Sequence, residues 1–211
     1  MSRFVYLHGF ASGPSSQKAR FFRERFAELG IGLEIPYLAE GRFEQLTISG
    51  QLAVMERTIG GDPATLIGSS MGGYLAALYA ARHPEVEKLV LLAPAFSFLT
   101  RWPEELSESK MEEWKRTGVL RVFHYSQGRE AALGYQLIED AMQYEHYPKL
   151  SQPTIIFHGK HDTVVPPGHS ISFSQKHPRT TLRLMDSDHQ LLNVLDDIWM
   201  DTEKFLFGQG V

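Results

Sequence analysis

The chain has 211 residues, 43% of them hydrophobic and 22% charged, which suits one globular domain (residues 1–211) with a full core. It contains no cysteine, which excludes disulfides and thiolate nucleophiles, and a net charge of −4 excludes the clustered Lys and Arg that a nucleic-acid partner needs. The apolar run Phe4-Val5-Tyr6-Leu7 is too short for a secretory leader, and no segment could span a bilayer; a cytoplasmic protein with no membrane role is expected.

In chain order, residues 3–7 read as a short buried strand closed by His8-Gly9 and followed by a loop, Phe10-Ala11-Ser12-Gly13-Pro14-Ser15. A helix is predicted over 16–29, with Ala19, Phe22, Phe26 and Leu29 at helical spacing and Gly30 beyond its end. Its basic residues Arg20, Arg23 and Arg25 alternate with Glu24 and Glu28, as on a solvated face. A second strand (33–36) and a second helix (43–59, before Gly60-Gly61) follow. Next comes Thr65-Leu66-Ile67-Gly68, a buried strand, and then an Ala/Leu-rich helix over 71–83 stopped by Pro84. Further strands are predicted at 87–93, 153–158 and 180–185, and helices at 130–143, 167–176 and 189–207. Short apolar strands alternating with amphipathic helices make βαβ units, hence a parallel sheet with helices on both faces and a site beyond the carboxyl ends of its strands.

The stretch 96–129 breaks this rhythm. It carries Trp102, Trp114, Phe123 and Tyr125 around a charged, helix-like segment at 104–115. It reads as a small cap insertion that supplies apolar walls to a site; the alternative is an excursion whose aromatic residues pack on the main core.

The chemistry centres on Gly68-Ser69-Ser70-Met71-Gly72. Only Ser70 has a glycine two residues to either side, the spacing that a sharp strand-to-helix turn needs to raise a serine hydroxyl above the sheet. A serine hydroxyl needs a base and a third group to orient the base. Of the nine histidines, His189 follows the last strand, where a loop can hang it over the strand ends. For the acid, the segment after the fourth strand offers no carboxylate, whereas Asp162 follows the fifth; Asp186 and Asp188 lie too close to His189 in the chain to face its Nδ1 and read as turn formers. The expected triad is therefore Ser70, His189 and Asp162. The backbone N–H groups of Phe10 and Met71 are the expected oxyanion donors, and His8 the brace of the Phe10 loop. Phe10, Met71, Phe96, Trp102 and Val164 are the candidate pocket residues. His158, His161, Asp162 and His189 raise the possibility of a metal, but no H-E-x-x-H or similar pair is present, and neither a metal nor any other cofactor is expected.

With these residues in place the chain resembles the α/β-hydrolase superfamily, and within it the small single-domain bacterial serine esterases of the YqiA-like group. The resemblance rests on His8-Gly9, on Gly68 to Gly73, on Gly159-Lys160-His161-Asp162-Thr163-Val164-Val165-Pro166, and on Asp188-His189. The family's first two strands have no counterpart. The resemblance therefore implies an α/β fold with a six-stranded, mostly parallel sheet in the order 2-1-3-4-5-6. It also implies a hydrolase that cleaves a small-molecule ester through an acyl-enzyme. A thioesterase or other acyl hydrolase on the same triad, or a non-catalytic ligand-binding member of the fold, remain alternatives.

Overall fold

The computed structural model describes residues 2–100 and 106–208. Its main sheet is built from β1 (Arg3–Leu7), β2 (Leu33–Glu34), β3 (Ala64–Ser69), β4 (Val86–Leu92), β7 (Thr154–Gly159) and β8 (Thr180–Met185), in the order β2-β1-β3-β4-β7-β8. Every pairing is parallel. The order is the expected one, except that two strands of a separate hairpin, β5 (Val119–His124) and β6 (Arg129–Gly134), intervene in the chain between the fourth and fifth sheet strands.

Register carries the strand ends to one edge. Leu7 lies opposite Gly68, Ser69 opposite Leu92, Leu92 opposite Phe157, and Gly159 opposite Met185. Alternate side chains of the central strands feed two cores. Val5, Leu7, Leu66, Leu89, Leu91 and Ile156 pack with α2 (Ile48–Ile59) and α3 (Met71–Ala80) on one face. Tyr6, Ile67, Val90, Leu92, Ile155 and Phe157 pack on the other with α1 (Gln17–Glu28) and α7 (Leu195–Phe207). Burial on both faces explains the consecutive apolar residues Leu66-Ile67 of β3 and Leu89-Val90-Leu91-Leu92 of β4.

The helices follow their caps. Ser16 Oγ accepts the amide of Ala19 at 3.4 Å and opens α1, which buries Ala19, Phe22 and Phe26; Leu29, expected on the same face, is the exposed closing residue before Gly30 at φ +71°. The helix expected over 43–59 is a 3-10 turn (Phe43–Gln45) and then α2, which begins where Thr47 Oγ1 accepts the Gly50 amide at 2.9 Å. The last helix begins at Leu195 rather than 189. Asp188 Oδ1 accepts the amides of Gln190 and Leu191, and Leu191 stands at φ +58°, so the backbone there is a turn.

The largest departure is at 130–143, where a helix is expected from its Ala, Leu and Glu content. Residues 129–134 are instead β6, paired antiparallel with β5, and only α5 (Gln136–Ala141) is helical. Pairing with β5, where partly buried Leu120 and Val122 alternate with exposed Arg121 and Phe123, overrides helix propensity. The charged segment before the hairpin forms α4 (Glu108–Thr117). Its Trp114 is buried and donates Nε1–H to the Leu133 carbonyl at 3.0 Å, so this aromatic residue belongs to the core, whereas Phe123 and Tyr125 are exposed and meet edge to face.

Two buried histidines make the fold acid-sensitive. Burial lowers His8 below its ordinary 6.5, against a bond to Gly9 and with help from His124; burial likewise lowers His124, with Arg129 adding to the effect. His124 packs edge-on against Phe43, and its Nε2 has no hydrogen-bond partner among the described residues. The unfolded chain binds protons at these rings from pH 6.5 downward while the folded chain does not, so stability present above pH 6.5 is lost as pH falls from there toward the lowered folded values. The melting temperature is expected to drop between pH 7 and pH 5, with a shallower drop in His124→Phe. An unchanged slope in that variant would remove His124 from the account.

Candidate active site

Ser70 joins β3 to α3 at φ +53°, ψ −117°, a left-handed conformation that costs a residue with a Cβ of order 1–3 kcal/mol. The surroundings hold it there. Its amide donates to the Leu92 carbonyl at 2.8 Å, and its carbonyl accepts the amide of Ala95 at 3.0 Å, which ties the turn to the end of β4. The flanking glycines are demanded by space. A methyl at Gly68 would overlap the backbone of Gly72 and Gly73, and one at Gly72 would overlap the Leu7 and His8 carbonyls at the end of β1.

His189 and Asp162 meet Ser70 at this edge. His189 Nδ1 lies 2.7 Å from Asp162 Oδ2, and His189 Nε2 lies 3.1 Å from Ser70 Oγ. An ionised carboxylate only accepts, so Nδ1 carries the proton and Nε2 turns its lone pair toward the serine hydroxyl. Asp162 sits in the loop after β7, its side chain fully buried. Its Oδ1 accepts the amides of Val164 at 2.9 Å and Val165 at 2.7 Å. Burial works to raise its pKa, yet the hydrogen bonds from His158 and His189, the His189 charge and the Val165 amide prevail and hold it well below the ordinary carboxylate range.

The loop that carries His189 is braced against the one that carries Asp162. The amides of Lys160 and His161 donate to the carbonyls of Met185 and Ser187, and a methyl at Gly159 would overlap the Ser187 and Asp188 carbonyls. Asp188 closes the turn beneath His189, and Asp186 accepts from the exposed ring of His161 at 2.8 Å. Neither aspartate is recorded bonding His189.

The loop after β1 reaches the same place. A methyl at Gly9 would stand 3.4 Å from Ser70 Cβ. His8 is buried, accepts the Leu38 amide on Nε2 at 3.2 Å and donates Nδ1–H to the Gly9 carbonyl at 3.0 Å, a neutral ring that braces the loop. Phe10 follows, its ring 5.5 Å from that of Phe43. Met71 opens α3, where the first N–H groups lack a carbonyl one turn earlier. The tip of the β5–β6 hairpin also touches this loop: the Tyr125 amide donates to the Ala11 carbonyl at 2.8 Å, and Gly13 packs against Ser126.

Of the expected pocket residues, Phe10 is half-buried, and Val164 is exposed and donates its amide to Asp162. Two others need correction. The Met71 side chain is buried in the core under Gln51, and Phe96 is fully buried and stacked on Phe173 at 4.2 Å. Each turns from the strand ends into the apolar layer, where helix packing decides its direction. Trp102 lies outside the described residues. His158, weighed in the sequence only as a metal ligand, is fully buried, with Nδ1 2.7 Å from Ser170 Oγ and Nε2 2.8 Å from the Val165 carbonyl and 3.1 Å from Asp162 Oδ2. A histidine four residues before the acid was the one signal for it.

The fold is shared widely. A presumed hydrolase from Agrobacterium vitis S4 superposes with a TM-score of 0.82 at 24% identity, over 97% of this chain and 88% of that one. Alpha/beta hydrolase domain-containing protein 10 from mouse gives 0.74 at 20% identity, over 94% and 90%. Est1E from Butyrivibrio proteoclasticus, solved with ferulic acid bound, gives 0.76 at 19% identity, over 99% and 89%. At these identities the likeness establishes an α/β-hydrolase fold. Residues 3–205 match the model of uncharacterised protein family UPF0227, and the chain belongs to that family.

Proposed function

We propose that this chain is a serine hydrolase that cleaves carboxylic esters of small molecules through an acyl-enzyme. The observation that carries the reading is the hydrogen-bonded row Ser70–His189–Asp162, with a 3.1 Å step from hydroxyl to imidazole and a 2.7 Å step from imidazole to carboxylate. Ser70 Oγ attacks the ester carbonyl as its proton passes to His189 Nε2. Asp162 keeps the ring in the tautomer that can accept this proton and stabilises the imidazolium that forms. The oxyanion is received by the amides of Phe10 and Met71, each donor worth a few kcal/mol. His189 then returns the proton to the departing alcohol, and water, activated by the same ring, releases the acid.

The binding of ferulic acid, a carboxylic acid, to Est1E supports a carboxylic ester as the substrate class. In this reading the chain is one domain, and the tip of the β5–β6 hairpin, seated on the Ala11 loop, serves as the cap, with Phe10 and Val164 lining the entrance. No cofactor enters any step. The test is turnover of a short acyl ester together with fluorophosphonate labelling mapped by mass spectrometry. Label on Ser70 with turnover is expected, and a purified, folded protein that shows neither overturns the reading.

A further inference from the structure

Asp162 is gripped by two imidazoles, of which the reaction above uses one. The second belongs to His158, the penultimate residue of β7, whose side chain is shut off from solvent along with that of the carboxylate. Its Nε2 stands 3.1 Å from Asp162 Oδ2 and 2.8 Å from the Val165 carbonyl. Both of these are acceptors, so Nε2 carries a proton, which the Val165 carbonyl accepts with the Asp162 carboxylate as a second, longer contact. Its Nδ1 lies 2.7 Å from the hydroxyl of Ser170, which is fully buried in the first turn of α6 (Gly168–Lys176). In a neutral ring that nitrogen is an acceptor, and the Ser170 hydroxyl supplies the donor that fixes the tautomer.

The contacts thus run as one row: Ser70, His189, Asp162, His158, Ser170. We propose that His158 is a positioning residue, with Ser170 as its orienter: it holds Asp162 Oδ2 in place, so that the carboxylate stays aimed at His189 Nδ1 as that ring gains and loses its proton. The inference rests on the hydrolase reading of Ser70. The geometry of the carboxylate bears it out. Oδ1 is held by the amides of Val164 and Val165, which leaves Oδ2 to take the imidazole contacts. His189 cannot be the only restraint on Oδ2, since it is the group that must be positioned. Among the described residues, the other polar contact to Oδ2 is Nε2 of His158.

Two substitutions separate positioning from packing. His158→Leu keeps the bulk and loses both bonds. His158→Gln puts an amide N–H close to where Nε2 stands and keeps the bond to Asp162. On a short acyl ester, His158→Leu is expected to lower kcat by roughly 10- to 100-fold with KM altered less than about 3-fold, while His158→Gln regains most of the loss. Ser170→Ala, which frees the tautomer, is expected to fall between them. Thermal melts establish which variants fold. Equal losses in folded Leu and Gln variants, or a loss confined to KM, would overturn the proposal.

Imidazole nitrogen NMR on the unsubstituted protein gives a second arm that needs neither a variant nor turnover. His158 is expected as the Nε2–H tautomer and His189 as the Nδ1–H tautomer, and a His158 ring protonated on Nδ1 alone sinks the idea. Should the unsubstituted protein neither turn over esters nor label at Ser70, the hydrolase reading fails, while the NMR result still decides whether Nε2 of His158 carries the proton that the proposal requires.

Discussion

A Ser70→Ala variant is expected to fold as the parent does and to lose at least about 10⁴-fold of its turnover of a short acyl ester, with the fluorophosphonate label lost entirely. The size follows from the mechanism: without Oγ no acyl-enzyme forms, and what survives is whatever the oxyanion donors and substrate binding give to direct attack by water. The fold should survive because, among the described residues, Oγ bonds only His189 Nε2, at 3.1 Å, and the turn is held through backbone groups that alanine retains. Alanine also keeps the Cβ that already tolerates φ +53°, so no new strain is introduced. Activity within 10-fold of the parent would mean that another residue attacks and that the Ser70–His189–Asp162 row is a structural network.

How much of this was legible in advance depended on whether the deciding interaction was local. At the Ser70 turn Gly68 is demanded by backbone within five residues and Gly72 by the Leu7 and His8 carbonyls of β1 beneath it, and because a strand-to-helix turn of this kind imposes both, their spacing announces it in the sequence. His189 and Asp162 could be chosen because a βαβ rhythm places the loop after each strand at the same edge, and register then does bring those ends into line. Segment 129–134 was misread for the opposite reason. Alanine, leucine and glutamate favour a helix, and only the pairing with 119–124 makes a strand; the β-branched and aromatic residues Val119, Val122 and Phe123 with Gly128 shortly after them were the available hints. Met71 and Phe96 were assigned to the pocket from nearness to Ser70 in the chain or fold, but side-chain direction is set by packing, against Gln51 in one case and Phe173 in the other. His158 escaped because its partners, Val165 and Ser170, come from residues that meet it only after the Asp162 loop folds back.

The largest structural effect is expected at Gly72. This residue sits second in α3, and a methyl there would overlap the carbonyls of Leu7 and His8 at the end of β1. The obstacle is backbone, which cannot swing aside as a long side chain would, so either α3 lifts from the sheet or β1 shifts, breaking the run of pairs from Arg3↔Ala64 to Leu7↔Gly68. Overpacking a core by a methylene typically costs 1–3 kcal/mol where side chains can yield, and a clash between main chains lies above that range, so Gly72→Ala is expected to lose more than about 3 kcal/mol in urea unfolding or fail to fold. Either displacement also separates Ser70 from the Phe10 loop, so any folded fraction should turn over esters far more slowly than its stability alone would imply. Gly73→Ala makes a graded comparison: its nearest new contacts, Pro94 Cβ at 3.0 Å and the Gly68 carbonyl at 3.1 Å, are tight without overlap, and a smaller loss is expected. Gly32→Ala meets nothing within 4 Å and requires no left-handed backbone, so it should be neutral or slightly stabilising through the unfolded chain. A Gly72→Ala protein that unfolds at the same urea concentration as Gly32→Ala would show that β1 and α3 are not in contact at the turn, and with that the alignment of the Phe10 loop over Ser70 would be lost.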